Sequence, residues 1–193
     1  MQMKDKQIIN KISQKQLILS LYLTQLLNII IAILLSLFLF SNIQSFLDLL
    51  VIEMKWIVIA VIFSFIVVGF DWTMWRLLPP SYYDDGGINK KLFTGLPVYK
   101  VAVISLIVAV CEEILFRGVL QTHIGLVLTS IIFALVHVRY LKKWFLFVNV
   151  VLLSFGIGFL YELSNHQLIP VIILHFLIDF LLGIIIAKQL ISD

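Results

Sequence analysis

Six runs of apolar residues, each long enough or nearly long enough to cross a lipid bilayer, limit what this chain can fold into. They cover residues 17–40, 56–78, 98–119, 122–138, 144–161 and 168–187. A hydrocarbon core of about 30 Å takes roughly 20 residues of α-helix. Lipid offers no partners to backbone N–H and C=O groups, so a spanning segment must satisfy them within itself as a helix, or within a closed barrel. The runs show no strand-like alternation. The expected fold is therefore all-α, a polytopic transmembrane bundle of about six helices. Composition agrees: the 193 residues are 62% hydrophobic and 13% charged, with a mean hydropathy of +1.10, whereas soluble domains are about a quarter charged.

Charge placement gives an expected orientation. With the N-terminus inside, the inner side collects Lys4, Lys6, Lys11, Lys15, Arg76, Lys90, Lys91, Lys100, Arg139, Lys142, Lys143 and Lys188, and the outer side only Lys55 and Arg117. Basic residues beside spans mark the cytoplasmic side, so both termini are expected there, in a plasma membrane. The Lys-, Ile- and Leu-rich composition suits a bacterial one. The net charge of +3 and pI of about 9.0 follow from these lysines rather than from nucleic-acid binding. The first run, Leu17 to Phe40, has no small-residue cleavage site and reads as a retained helix rather than a signal peptide. The single Cys111 excludes an internal disulfide. Two regions are expected: 1–97, with two helices and the connection "PPSYYDDGGINKKLFTGLP" read as a linker resting on the headgroups, and 98–187, which carries the motifs below.

Into the third run the chain inserts "CEEILFRGVL", residues 111 to 120. A charge at mid-membrane costs about 2.5–3.5 kcal/mol on insertion scales and tends to face the bundle interior, where it marks function. Glu113 and Arg117 are four apart on one helix face and can pair, a structural role. Glu112 points about 100° away and has no basic residue at i±3 or i±4, so it needs a partner from another helix, a raised pKa, or water. "FALVH" places His137 one turn after Phe133, and "HFLID" stacks His175 and Asp179 on one face of the last run. Converging, Glu112, His137, His175 and Asp179 would form a buried polar cluster able to activate water. Asp71 and Asn149 are expected to bond neighbouring helices, with lining of the same cavity as the alternative, His123 and His166 to lie at outer turns, and Ser154-x-x-x-Gly158 to be a small-residue packing step.

The order "EEILFR", "FALVH", "HFLID" resembles the CPBP family of intramembrane proteases, which includes the type II CAAX prenyl endopeptidases and bacterial relatives linked to bacteriocin processing and immunity. Its pattern is EExxxR, FxxxH and HxxxN/D on successive membrane helices. The resemblance implies that Glu112 activates a water for attack on a peptide carbonyl, assisted by His137, while His175 and Asp179 stabilise the oxyanion or position water and Glu113 and Arg117 hold their helix in register. The last position is Asp179 here, where the CAAX endopeptidases carry Asn. It also implies a peptide or protein substrate met in or beside the bilayer. Two catalytic readings stay open. One is metal-free; the other has zinc on His137 and His175 with Glu112 or Asp179, leaving one position for water, although HExxH is absent. The alternatives to an enzyme are a non-catalytic membrane immunity or regulatory protein that binds another membrane protein, and a small proton-coupled transporter.

Overall fold

A computed structural model describes residues 11–141 and 143–188. Lys4, Lys6 and Lys142, three of the cations used above for orientation, lie outside the described residues. The described chain is helical, without strands: α1 (Gln14–Leu39), α2 (Ile43–Leu47), α3 (Met54–Leu77), α4 (Pro80–Tyr83), α5 (Ile88–Phe93), α6 (Val98–Glu113) continuing into a π-helical stretch (Ile114–Gln121), α7 (Thr122–Val136), α8 (Trp144–Leu163) and α9 (Leu168–Ala187).

Helix starts follow local chemistry. At α1, Ser13 Oγ accepts from the Gln16 N–H at 3.2 Å while Gln16 Oε1 accepts from the Ser13 N–H at 2.7 Å, a reciprocal cap that satisfies two orphan donors. At α2, Asn42 Oδ1 accepts from the Ser45 N–H at 3.0 Å, a one-way cap. At α9 the proline, Pro170, sits in the first turn, where no intrahelical donor is lost.

Five helical stretches are long and apolar enough to cross a membrane, and the third is Val98–Val136, which is interrupted at Gly125. That run is not straight. A straight helix would part residues 116 and 133 by about 25 Å, yet the Phe116 and Phe133 rings lie 4.9 Å apart. The reversal is at Gly125, whose backbone (φ 80°, ψ 170°) lies in a region essentially closed to residues with a Cβ. The run therefore supplies an ascending leg and a short returning one. This is how six apolar segments in the sequence become five helical stretches.

Contacts between legs give the directions. Gln25 meets Glu112 and the Leu39 carbonyl meets His123, so α1 and α6 run the same way. Glu113 meets His175 while Val101 faces Gly183, so α9 opposes α6. Phe63 meets Gly156 and the Glu53 N–H meets Gln167, which sets α3 against α8. The legs alternate up and down from α1 to α9, and the two ends of the described chain finish on one side.

Close approach is achieved with small residues, as expected where lipid tails compete equally for apolar surface. A Cβ at Gly158 would collide with Leu126 and fall 2.7 Å from Gln121 Oε1; at Gly183 it would lie 2.7 Å from Val101. Buried Ala60, Ile157, Tyr161, Leu168, Val171 and Ile178 form one core between α3, α8 and α9, and Ala32, Phe116, Val119 and Phe133 a second between α1, the π stretch and α7. The outer face is apolar, with Phe38 85% and Ile66 63% exposed, as befits side chains solvated by acyl tails.

The connection 79–97 is more than a solvated linker: it holds α4 and α5 and docks on the bundle. Asp85 Oδ1 and Oδ2 accept from the Gly87, Ile88 and Asn89 N–H groups and start α5. Leu92 is buried, and Gln14 Nε2 donates to the Leu92 and Thr94 carbonyls at 3.0 Å each. A helix start and one buried leucine convert an apparently solvated loop into a docked element.

Candidate active site

The two adjacent carboxylates separate as the helix period demands. Glu113 is fully buried and faces inward: its Oε2 is 3.1 Å from Arg117 Nε, also fully buried, and its Oε1 accepts from His175 Nδ1 at 2.7 Å. Arg117 Nη2 donates to Ser154 Oγ and to the Ser154 carbonyl at 3.2 and 3.3 Å, and the guanidinium stacks 5.2 Å over the Phe133 ring. Truncating one member of a buried pair strands the other at about 3–5 kcal/mol, so these residues fasten α6, the π stretch, α8 and α9 together. The Ser154-x-x-x-Gly158 step faces this stretch: Ser154 receives Arg117, and the Gly158 carbonyl receives Gln121 Nε2 at 2.8 Å.

Glu112, half-buried, turns the other way. Its Oε1 accepts from Gln25 Nε2 of α1 at 3.0 Å, and Asn28 Nδ2 donates to Gln25 Oε1 at 3.0 Å. Glu112 Oε2 has no hydrogen-bond partner among the described residues. Gln25 is the cavity residue bonded to Glu112 that sequence reasoning did not single out. The signal was present: Gln25 and Asn28, one turn apart, are polar residues inside a 24-residue apolar run.

His137 ends α7. Its Nδ1 lies 2.7 Å from the Phe133 carbonyl. A carbonyl can only accept, so Nδ1 carries the proton and a neutral ring keeps its lone pair on Nε2. The ring is pinned between Phe133, at 4.6 Å, and Tyr140, stacked at 6.0 Å. The Gly125 reversal sets it at the depth of Glu112: the two lie twelve and thirteen residues from that glycine, on opposite legs. Counted from a turn near residue 121, as the apolar runs suggest, they would differ in depth by about 10 Å.

His175 lies between two carboxylates, donating through Nδ1 to Glu113 and leaving Nε2 3.6 Å from Asp179. That second gap is long for a direct hydrogen bond and is an ion-pair contact. Glu112, His137, His175 and Asp179 all line one cavity of about 540 Å³, together with Gln25, Asp71 and Asn149. Asp71 and Asn149 thus face this cavity. The outer histidines are also engaged: His123 contacts the Val119 and Leu39 carbonyls, and His166 pairs with Glu162 at 3.0 Å.

Among the described residues, no three His, Cys, Asp or Glu side chains are grouped so as to hold a metal ion. A zinc centre needs three protein ligands; His175 Nδ1 is held by Glu113 and His137 Nδ1 by the Phe133 carbonyl, which leaves Nε2 of each ring as the atom able to ligate, but among the described residues no third ligand is grouped with them. As placed, His137, His175 and Glu112 or Asp179 do not form a ligand set.

A family model described as type II CAAX prenyl endopeptidase Rce1-like matches residues 94–181, from the foot of α6 to two residues past Asp179. The uncharacterized protein YpbD of Bacillus subtilis (strain 168) is 43% identical over 158 residues, covering 81% of this chain and 83% of that protein. The chain belongs to the Rce1-like type II CAAX prenyl endopeptidase family. No solved structure matches it. Within the Rce1-like match fall the Glu112–Glu113–Arg117, His137 and His175–Asp179 groups; Gln25 and Asp71, which line the same cavity, lie on helices that precede it. With five apolar helical stretches, the protein is a multi-pass Rce1-like membrane protein.

Proposed function

We propose that the protein is an intramembrane endopeptidase in which Glu112 activates a water against a peptide bond. The observation that carries this reading is the shared cavity: a carboxylate with one free oxygen, an imidazole of defined tautomer and a bracketed second imidazole face one space inside an otherwise apolar bundle. Glu112 Oε2 takes a proton as the water oxygen bonds to the carbonyl carbon. The proton passes to the leaving nitrogen as the C–N bond breaks, giving one carboxyl and one amine product. His137 assists in orienting the water. His175, held by Glu113, faces the developing oxyanion together with a water on Asp179, a use of Asp that needs no direct carboxylate–oxyanion contact. The substrate is a membrane-associated peptide or protein terminus, and both termini of the enzyme lie in the cytoplasm of a bacterial cell.

The test uses the full chain in proteoliposomes, incubated with membrane extract from the source cell and read by mass spectrometry of peptide termini. Glu112→Gln is expected to remove the new termini, lowering cleavage about 100-fold or more, the usual size of a general-base contribution. Termini produced equally by Glu112→Gln overturn the mechanism. A cellular effect that survives both Glu112→Gln and His137→Ala assigns the protein a non-catalytic binding role instead.

A further inference from the structure

One carboxylate in the cavity takes no part in this chemistry. Asp71, on α3, is half-buried, lines the cavity and has no hydrogen-bond or ion-pair partner among the described residues. Its neighbour in sequence, Arg76, stacks on Trp72 instead. An ionisable side chain in a spanning helix faces the bundle interior and finds a partner; this one faces an open space and has none from its own chain.

The rest of the lining sharpens the point. Among the described residues, the acidic side chains facing the cavity are Asp71, Glu112 and Asp179, and the one arginine or lysine is Arg139. Arg139 is already engaged, 3.7 Å from Asp85 Oδ2 and donating to Tyr140 Oη and Asn89 Oδ1. Asp179 lies 3.6 Å from His175 Nε2, so among the described residues Asp71 and Glu112 are the lining carboxylates without a cationic partner. Asp71 stands six residues from the end of α3, and Glu112 fourteen from the start of α6, both measured from the face where the described chain ends. They lie about 9 and about 21 Å from that face, so a group coming from it meets Asp71 before it reaches Glu112.

We infer that Asp71 is a substrate-recognition residue, binding a cationic group of the peptide that occupies the cavity while Glu112 faces its scissile bond. The cation is a lysine or arginine side chain or a free terminal ammonium. A carboxylate and a cation form a charge-assisted pair that is strengthened where water is scarce, and the pair neutralises a charge that is otherwise costly at this depth. Asp71 then ranks basic peptides above neutral and acidic ones.

This inference rests on the peptidase reading for its meaning but is tested separately, by binding. The non-cleaving Glu112→Gln protein is placed in nanodiscs of zwitterionic lipid, so that the bilayer itself has no preference among charges. It is titrated with pools of fluorescent lipid-anchored peptides carrying one internal Lys, Gln or Glu, each with a free or an acetylated terminus. Lys pools are expected to bind about tenfold tighter than Gln pools, equivalent to about 1.4 kcal/mol. Adding Asp71→Asn should abolish the difference, and adding Asp71→Lys should reverse it in favour of Glu pools. If the preference follows the free terminus rather than Lys, the cation is the terminal ammonium. Equal binding of all pools, or a Lys preference that survives Asp71→Asn, overturns the inference. Cleavage by the protein with Glu112 intact reports on the peptidase reading alone.

Discussion

Glu112 and Glu113 are identical in chemistry and adjacent in sequence, yet their surroundings give them opposite roles. Glu113 is spent on Arg117 and His175, while Glu112 keeps one oxygen free and holds the other through Gln25. The i,i+4 spacing alone predicted the Glu113–Arg117 pair, because both partners lie on one helix. Gln25 and the His175–Glu113 bond were not legible in that way, because their partners are 87 and 62 residues distant. The Asn28–Gln25–Glu112 chain fixes the carboxylate rotamer, and losing its donor leaves a buried acceptor unmatched at about 1–3 kcal/mol. Gln25→Leu is therefore expected to lower kcat about tenfold, with a smaller change in KM, in steady-state cleavage by proteoliposomes. An unchanged kcat removes Gln25 from the positioning of Glu112.

At the scale of elements, the decisive feature is the passage from α6 through the π stretch to α7. Wide π turns are uncommon and recur at functional sites. Here the stretch begins at the residue after Glu113 and carries Arg117 and Gln121 to Ser154 and Gly158. Thr122 Oγ1 donates back to the Arg117 carbonyl and pairs with the Tyr161 hydroxyl, closing the end of the stretch. The apolar pattern put a helix break near residue 121, whereas the chain continues helically to Gly125 and reverses there. Hydrophobicity locates segments that lipid can hold, but a backbone reversal without polar residues leaves no hydropathy signal. Only a glycine can hold φ 80° with ψ 170°. Gly125→Val is expected to cost about 1–3 kcal/mol, seen as a lower Tm in detergent, and to part His137 from Glu112, seen as loss of cleavage. A variant as stable and active as the parent refutes the hairpin.

For the whole molecule, alternating legs and ends on one side follow from the helix pairings, while which side is cytoplasmic rests on charge. Lys55 stands at the opposite face from the two ends of the described chain, beside Glu53 at 3.0 Å; most other described cations sit on the side of those ends, and Arg117 is no loop residue but part of the core. A membrane-impermeant maleimide applied to intact cells is expected to label Gln44→Cys in α2 and to spare Ser13→Cys until the membrane is opened; the reverse pattern inverts the topology. The sequence by itself determined the solvent, the helical class, the approximate number of legs and the identity of the four polar groups, because each is a local matter of residue type and spacing. Tertiary structure alone decided that Gly125 sets Glu112 level with His137, that α1 lends Gln25 to a site otherwise built from residues 112 to 179, and that Asp71 faces the cavity instead of a neighbouring helix. Those outcomes depend on which helices pack side by side, and packing between apolar helices in lipid is set by shape, which no single segment encodes.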